Sequence, residues 1–377
     1  MTGRWDQWLA DEAVRRDAAG LTRRLRPRGP DDDVVDLAGN DYLGLARHPR
    51  VVEAAAAAAR EWGAGAGASR LVTGTTLLHT DLETALARFT GQAAALVTST
   101  GYHANLAAVT ALADRDALIV SDAHVHASLI DAARMSRAEI AVVPHNDPAA
   151  ASAALAGARG RRSLVLTESV YSVLGDAAPL VELADACERH DALLVVDEAH
   201  GLGVAGAGGH GLVRETGLAG HGHVVVTATL SKSLGSQGGA VLGSPALVEH
   251  LVNTARPFIF DTGLAPAAAG AAAAALTLLA GSPDLPALVR DRVTALAVRL
   301  GVDVPAGAVV SVPMASPHAA LAAQAECLGH GIRVGCFRPP SVPDGVSRLR
   351  ITTNAGVGPE AWQRAVEILV KVVEASR

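Results

Sequence analysis

TATLSKSLGSQGG, residues 227–239, closes an apolar run that begins at His223 and carries Lys232 at its centre. Lysine is almost absent from this chain. The only other one is Lys371, and arginine supplies the remaining thirty of the 32 basic side chains. A chain that uses guanidinium nearly everywhere keeps an amine where guanidinium fails. An ε-amine can lose its proton and attack an aldehyde, whereas arginine stays charged at any accessible pH. Lys232 therefore reads as a residue of imine chemistry, against the plainer reading of a surface lysine at a strand end.

Around that loop, short apolar runs recur from about Ala93: AAALVTS, ALIVS, EIAVV, SLVLTES, ALLVVDE and HVVVTATL. Helical stretches separate them. This alternation predicts an α/β fold with a parallel or mostly parallel central sheet covered by helices on both faces. Ligands in such sheets collect at the carboxyl ends of the strands. Polar residues follow the runs at Ser99 to His103, Ser121-Asp122, Glu168-Ser169, Asp197 to His200 and Thr229 to Lys232, which predicts one site along one sheet edge. The regular pattern breaks after Arg256-Pro257. An Ala-rich helix then leads into a smaller α/β portion from about Asp284. The expected division is an N-terminal helix and arm over 1–40, a large domain over 41–256, and a linking helix with a small C-terminal domain over 257–377.

In LLVVDEAHGLGVAG, residues 193–206, Asp197 closes a β-branched strand 35 residues before Lys232. A pyridine ring that acts as an electron sink needs a carboxylate on its nitrogen, and His200 is placed to reach a ring hydroxyl. The letters D-E-A-H also occur in nucleotide-driven helicases, but the chain has no G-x-x-x-x-G-K-[ST] loop. GLGVAG fits G-x-G-x-x-G, yet it follows the acid pair and does not open a helix after a strand.

STGYHAN, residues 99–105, opens a helix after a strand, where free N–H groups can seat a phosphate or Ser/Thr can serve as an ordinary N-cap. In SDAHVHASLIDAAR, residues 121–134, His124 and His126 lie at i, i+2 and share no helical face for a metal. One of them can stack on an aromatic ring. RPPSVPDGVSRLRITTN, residues 338–354, places Arg348 and Arg350 on one strand face. They read as a carboxylate clamp or as the solvated face of an edge strand. GAGAGASRLVTGTT, residues 63–76, suits close backbone approach or a hinge. Residues 5–24 look like an amphipathic helix ending in an arginine cluster.

The bulk numbers exclude several classes. Of the 377 residues 50% are hydrophobic and 19% charged, a globular composition, and the net charge of −6 gives no reason to expect nucleic acid or membrane as partner. Cys187, Cys327 and Cys336 have no metal spacing and suit a reducing cytoplasm. The N-terminal segment lacks the apolar core of a signal peptide. The longest apolar run, residues 264–281, is mostly alanine and glycine and reads as a packed helix.

Assembled, these motifs resemble the α-oxoamine synthases, pyridoxal 5'-phosphate enzymes of the aspartate aminotransferase fold (PLP fold type I). The resemblance runs from NDYLGL through GASRLVTGTTLLHTDLE, STGYHAN, DAHVHASL, TESVYSVLGDAAPL and DEAHGLGV to the lysine loop and RPPSVP…RLRIT. It implies that Lys232 holds the cofactor as an imine and later moves the α-proton. Asp197 would pair with the pyridine nitrogen and His200 with the phenolic oxygen. His126 would stack on the ring with Ser172 beside it. Gly101, Tyr102 and Thr229 would place the cofactor and its phosphate, with Thr262 reaching the phosphate from the neighbouring subunit of a homodimer. Arg350 would take the amino acid's carboxylate. Arg23, Asn40, Ser341 and Arg338 match substrate positions. Arg338 before Pro339-Pro340 resembles the branch that joins L-alanine to a pimeloyl thioester, the alternative being a glycine C-acyltransferase. The lysine loop departs from many relatives, which carry glycine or alanine in place of Ser231 or Ser233.

Overall fold

The computed structural model of the chain describes residues 3–18, 21–23, 25–158, 160–339, 342 and 344–376. Eleven strands occur among them: β1 (Val35–Leu37), β2 (Ala94–Thr98), β3 (Leu118–Asp122), β4 (Glu139–Val143), β5 (Ser163–Glu168), β6 (Leu193–Asp197), β7 (Val224–Thr229), β8 (Gly239–Gly243), β9 (Val309–Pro313), β10 (Ile332–Phe337) and β11 (Arg348–Thr352). They form a seven-stranded sheet in the order β2-β8-β7-β6-β5-β3-β4 and a four-stranded sheet in the order β1-β10-β11-β9. The α/β architecture with a mostly parallel central sheet is the expected one.

The six apolar runs of the sequence are β2 to β7, and every residue of β3, β5 and β7 is buried. Strands covered by helices on both faces are near-continuous apolar runs for this reason. β8 is an addition to the expected set. Its residues, GAVLG, are too short and glycine-rich to carry a period, yet it pairs antiparallel with both β2 and β7. Because β8 alone runs backwards, the carboxyl ends of the other six strands open on the same sheet edge.

Helix starts follow local chemistry. Proline lies in the first turn of the helices Pro49–Trp62, Pro148–Ala156, Pro266–Ala280, Pro317–Gly329 and Pro359–Ala375, where its missing N–H costs no hydrogen bond. Thr100 caps the helix Gly101–Leu112 by accepting from His103 N–H, and His126 caps the helix Ala127–Ser136 by accepting from Ser128 N–H. The Ala-rich helix Pro266–Ala280 packs on Pro49–Trp62, close enough that a Cβ on Gly270 would meet the Ala58 methyl at 2.7 Å. No single helix among the described residues is long and apolar enough to cross a membrane.

Two expectations are corrected. The first helix runs over Arg4–Ala18 and does not extend to the arginine cluster: Leu21, Thr22 and Arg23 are non-helical, and Pro27 disfavours helix at Arg26 before it. It buries no residue. Nor is β11 an edge strand: it lies between β10 and β9, and Arg348 and Arg350 are both buried. The smaller sheet also recruits β1 from the N-terminal arm, parallel to β10. Asn40 and Tyr42, just after β1, are carried with it towards Arg350.

Candidate active site

Strand register sets the site. Glu168 at the end of β5 is the cross-strand neighbour of Asp197 at the end of β6, and Asp197 is the neighbour of Thr227 in β7. Lys232 follows β7 on a loop closed by Leu230 N–H donating to Gly238 O at 3.0 Å. A cavity of about 250 Å³ opens at these strand ends. Gly101, Tyr102, His126, Asp197, His200, Thr229 and Lys232 all line it, together with Asn105, Ser128, Glu168 and Ser231. Seven of the residues singled out from the sequence thus meet in one place.

The wall is tightly built. A Cβ on Gly101 would stand 2.9 Å from Thr229 Cβ, so only glycine lets the helix Gly101–Leu112 start this close to the end of β7. Gly203 has φ +88°, and a Cβ there would fall inside van der Waals contact of Ser233. The D-E-A-H turn and the lysine loop therefore pack backbone against side chain. Ser233 adds a hydrogen bond to Leu202 O at 2.8 Å, and Ser231 Oγ lies 2.7 Å from Thr229 Oγ1. The two serines tie the loop down on both sides of Lys232.

Electrostatics follow from burial. Removal from water pushes the pKa of the Lys232 ammonium down to about 8, against the pull of the Asp197 and Glu168 carboxylates. Burial likewise holds Glu168 well above the usual carboxylate range, and the neighbouring Asp197 charge adds to it. Asp197 is the carboxylate that its surroundings hold by hydrogen bonds. It accepts from Asn105 Nδ2 at 2.7 Å and from Ala199 N–H at 2.8 Å. Glu168 Oε1 is buried with no hydrogen-bond partner among the described residues. His200 is held well below its ordinary value by burial and by the nearby Lys232 and Arg350 charges, which keeps it neutral.

Arg350 reaches the same edge from β11. Its Nε donates to Ser172 O at 2.7 Å, and both terminal nitrogens donate to Asn40 Oδ1 at 3.2 Å. Tyr42 hydroxyl lies 2.7 Å from His200 Nδ1 and 3.0 Å from Asn40 Oδ1, so Arg350, Asn40, Tyr42 and His200 form one network. Its neighbour on the strand face, Arg348, pairs instead with Asp344, with Nη1 2.8 Å from Oδ1. Ser172 and His126 line an adjoining cavity of about 400 Å³ with Tyr171, Val173, Leu174 and Phe337.

Other expected residues lie elsewhere. Thr262 pairs with Ser69 in an isolated β-bridge and lines a separate pocket beside Ser99 and Asp261. Arg23 is exposed in the arm between the first helix and β1. Arg338 is half-buried just after β10 and bonds the Cys336 thiol. Ser341 lies outside the described residues. Asn105, Ser128, Glu168 and Tyr42 join the site with no role expected from the sequence. Glu168 follows an apolar run, and that position is its signal; Asn105, Ser128 and Tyr42 carry none beyond their motifs.

His124 and His126 part company as their spacing implies. His124 stacks on His145 at 4.1 Å between ring centres, and His145 bridges Asp122 at 3.0 Å and Asp176 at 2.9 Å. Burial alone would lower the pKa of His145, but these two carboxylates push it up to about 9. A group raised on folding contributes fully below its unfolded value, about 6.5, and loses its contribution as pH rises through the folded one. Melting temperature is therefore expected to fall between about pH 7 and pH 10, and less so in His145→Gln. Parallel melting curves for the two proteins across that window would rule the bridge out as a source of stability.

Comparison with known proteins gives the family. Residues 32–369 match the family of class I and II aminotransferases. The chain belongs to it. Within it, the chain is 57% identical over 367 residues to the 8-amino-7-oxononanoate synthase of Mycolicibacterium gilvum, covering 97% of both chains. It is 54% identical over 371 residues to that of Mycolicibacterium smegmatis, covering 98% of this chain and 97% of the other. Among solved structures, Sphingomonas wittichii serine palmitoyltransferase superposes with a TM-score of 0.89 at 29% identity, over 99% of this chain and 98% of that one. The Francisella tularensis 8-amino-7-oxononanoate synthase superposes at 0.77 and 26% identity, over 92% of this chain and 99% of that one. The likeness thus spans both sheets and the strand-end cavity of the larger one.

Proposed function

We propose that this chain is a pyridoxal-phosphate-dependent acyltransferase that condenses L-alanine with a pimeloyl thioester, releasing CO2 and free thiol and forming 8-amino-7-oxononanoate for biotin synthesis. The observation that carries the chemistry is a half-buried Lys232 at the wall of the Asp197 cavity, with its ammonium pKa lowered to about 8. The relatives' name supplies the product.

The residues present fit the cofactor. The cavity offers an amine close to its free form, a hydrogen-bonded carboxylate in Asp197 and a neutral His200. It also has an unpaired buried oxygen on Glu168 and a helix start at Gly101 that tolerates no Cβ. Lys232 would hold the aldehyde carbon, Asp197 the pyridine nitrogen, His200 the phenolic oxygen, and Gly101, Tyr102 and Thr229 the phosphate. Bound there, pyridoxal phosphate supplies an electron sink for charge developing at the amino acid's Cα.

The protein's own groups do the rest. Arg350, braced by Ser172 O and Asn40, binds the substrate carboxylate and orients Cα towards Lys232. Lys232, as free amine, removes the Cα proton and later returns one. Asp197, held by hydrogen bonds from Asn105 and Ala199, would pair with the ring nitrogen. His126 lines both the cofactor cavity and the more apolar one beside it, where Ser172 lies. Two further readings belong here. The chain works as a homodimer in which Thr262 reaches the partner's phosphate site; its separation from the Lys232 cavity supports this, as does exposure of Phe260 just before it and of Leu71, Val72 and Leu77 just after its bridge partner Ser69. It works in a reducing cytoplasm, which its unpaired cysteines suit.

The test is thiol release by the cofactor-loaded protein, given pimeloyl-CoA with L-alanine and, in parallel, acetyl-CoA with glycine. Release confined to the first pair is expected. Release confined to the second would move the chain to the glycine-using branch with its lysine chemistry intact.

A further inference from the structure

The hydrogen bonds behind Asp197 have a direction that can be read outward from it. A carboxylate only accepts, so the Asn105 atom 2.7 Å from Asp197 Oδ2 is the amide nitrogen. Thr227, donating to Asn105 Oδ1 at 2.6 Å, agrees with that orientation. The second N–H of the same amide points to Ser128 Oγ at 2.8 Å, which makes the serine oxygen an acceptor there. Its own proton is then directed to His126 Nδ1, 2.7 Å away. Ser128 backbone N–H approaches the same nitrogen at 3.2 Å. With two donors aimed at it, Nδ1 has to present a lone pair. Among the described residues Nε2 has no hydrogen-bond partner, and the ring lines both cavities.

We infer that Asn105 and Ser128 are positioning residues that transmit the polarity of Asp197 to His126, holding its imidazole as the neutral Nε2–H tautomer and leaving that N–H for a carboxylate or thioester carbonyl oxygen of the substrates. The substrate part of this inference rests on the proposed function; the tautomer does not. Protonating His126 would drive an Nδ1–H against two donors. Burial and the Lys232 charge lower its basicity in the same sense, Asp197 opposing them. The other groups that face it are Asp131 on its own helix, Glu168, which accepts from its backbone N–H, and His200 across the cavity.

The relay makes a prediction that simple loss of packing does not. In Asn105→Leu the serine hydroxyl is released to rotate, and its oxygen can accept from a protonated Nδ1. In Ser128→Ala one of the two donors disappears. Both variants are expected to titrate His126 at higher pH than wild type, Asn105→Leu more so, and Ser128→Thr to restore the wild-type value. The measurement is 15N NMR of histidine-labelled holoenzyme, with the His126 signal identified by its loss in His126→Asn. Wild type is expected to show a pyridine-type Nδ1 and a pyrrole-type Nε2 at neutral pH. kcat/KM for both substrates is expected to drop about tenfold in Ser128→Ala, the scale of one net hydrogen bond. A pyrrole-type Nδ1 in wild type would overturn the inference, as would unchanged His126 titration in both variants. If Asn105→Leu fails to fold, the wild-type spectrum and the Ser128 pair still decide. Failure of the proposed reaction would appear separately, as absent thiol release by wild type.

Discussion

Lys232→Ala is expected to lose turnover by a factor on the order of 10⁴ or more while keeping its fold, the scale set by removing a group proposed as both nucleophile and proton carrier. The substitution takes the amine from the cavity wall, and no other lysine can stand in for it: Lys371 lies in the C-terminal helix Pro359–Ala375. Lys232→Arg tests the chemistry more narrowly, since it restores charge and length but cannot form an imine. Borohydride treatment of the loaded wild type followed by mass spectrometry should place the reduced adduct on Lys232 and nowhere else. Because the ammonium pKa is lowered to about 8, capture of the aldehyde by cofactor-free protein should accelerate as pH rises through that value. Turnover retained in Lys232→Ala would remove the assignment altogether.

Asp197→Asn should lower activity by roughly 10³ or more while weakening cofactor retention far less, the scale attributed to preorganised electrostatic groups in buried sites. The carboxyl group sits where Asn105 and Ala199 already donate to it, so two hydrogen bonds hold it in place. An amide there would turn its own N–H against Asn105 or, in the other orientation, offer the ring nitrogen no negative charge. The discriminating experiment is exchange of the L-alanine Cα proton with deuterated water, followed by proton NMR and compared with cofactor content. Exchange at the wild-type rate would show that Asp197 does not support charge at Cα. Slow exchange with full cofactor content is the expected result.

Much of this is legible in the sequence because it is local. Apolar runs of strand length and the polar residues that follow them are consecutive in the chain, so β2 to β7 and their carboxyl-end chemistry can be read directly. Lys232, Asp197, His200 and His126 are marked in this way, and all four line one cavity. β8 is not legible, because five small residues have no period, and its direction follows from the partners on either side. The arginines of β11 are only half legible. Alternation places Arg348 and Arg350 on one face, but their different partners, Asp344 and Asn40, depend on what packs against that face.

Residue order on its own establishes the class of fold, the strand-end position of the chemistry, and a lysine and an aspartate of the kinds that imine chemistry requires. Folding then tunes those residues. It sets Glu168 beside Asp197, lowers the Lys232 pKa by burial, and joins Asn40 to Arg350 across 310 positions of sequence. It also runs the hydrogen bonds from Asp197 through Asn105 and Ser128 to His126. Residue type and strand period are short-range properties of the chain. Ionisation and hydrogen-bond direction depend instead on which distant groups share the same few ångströms of dry space.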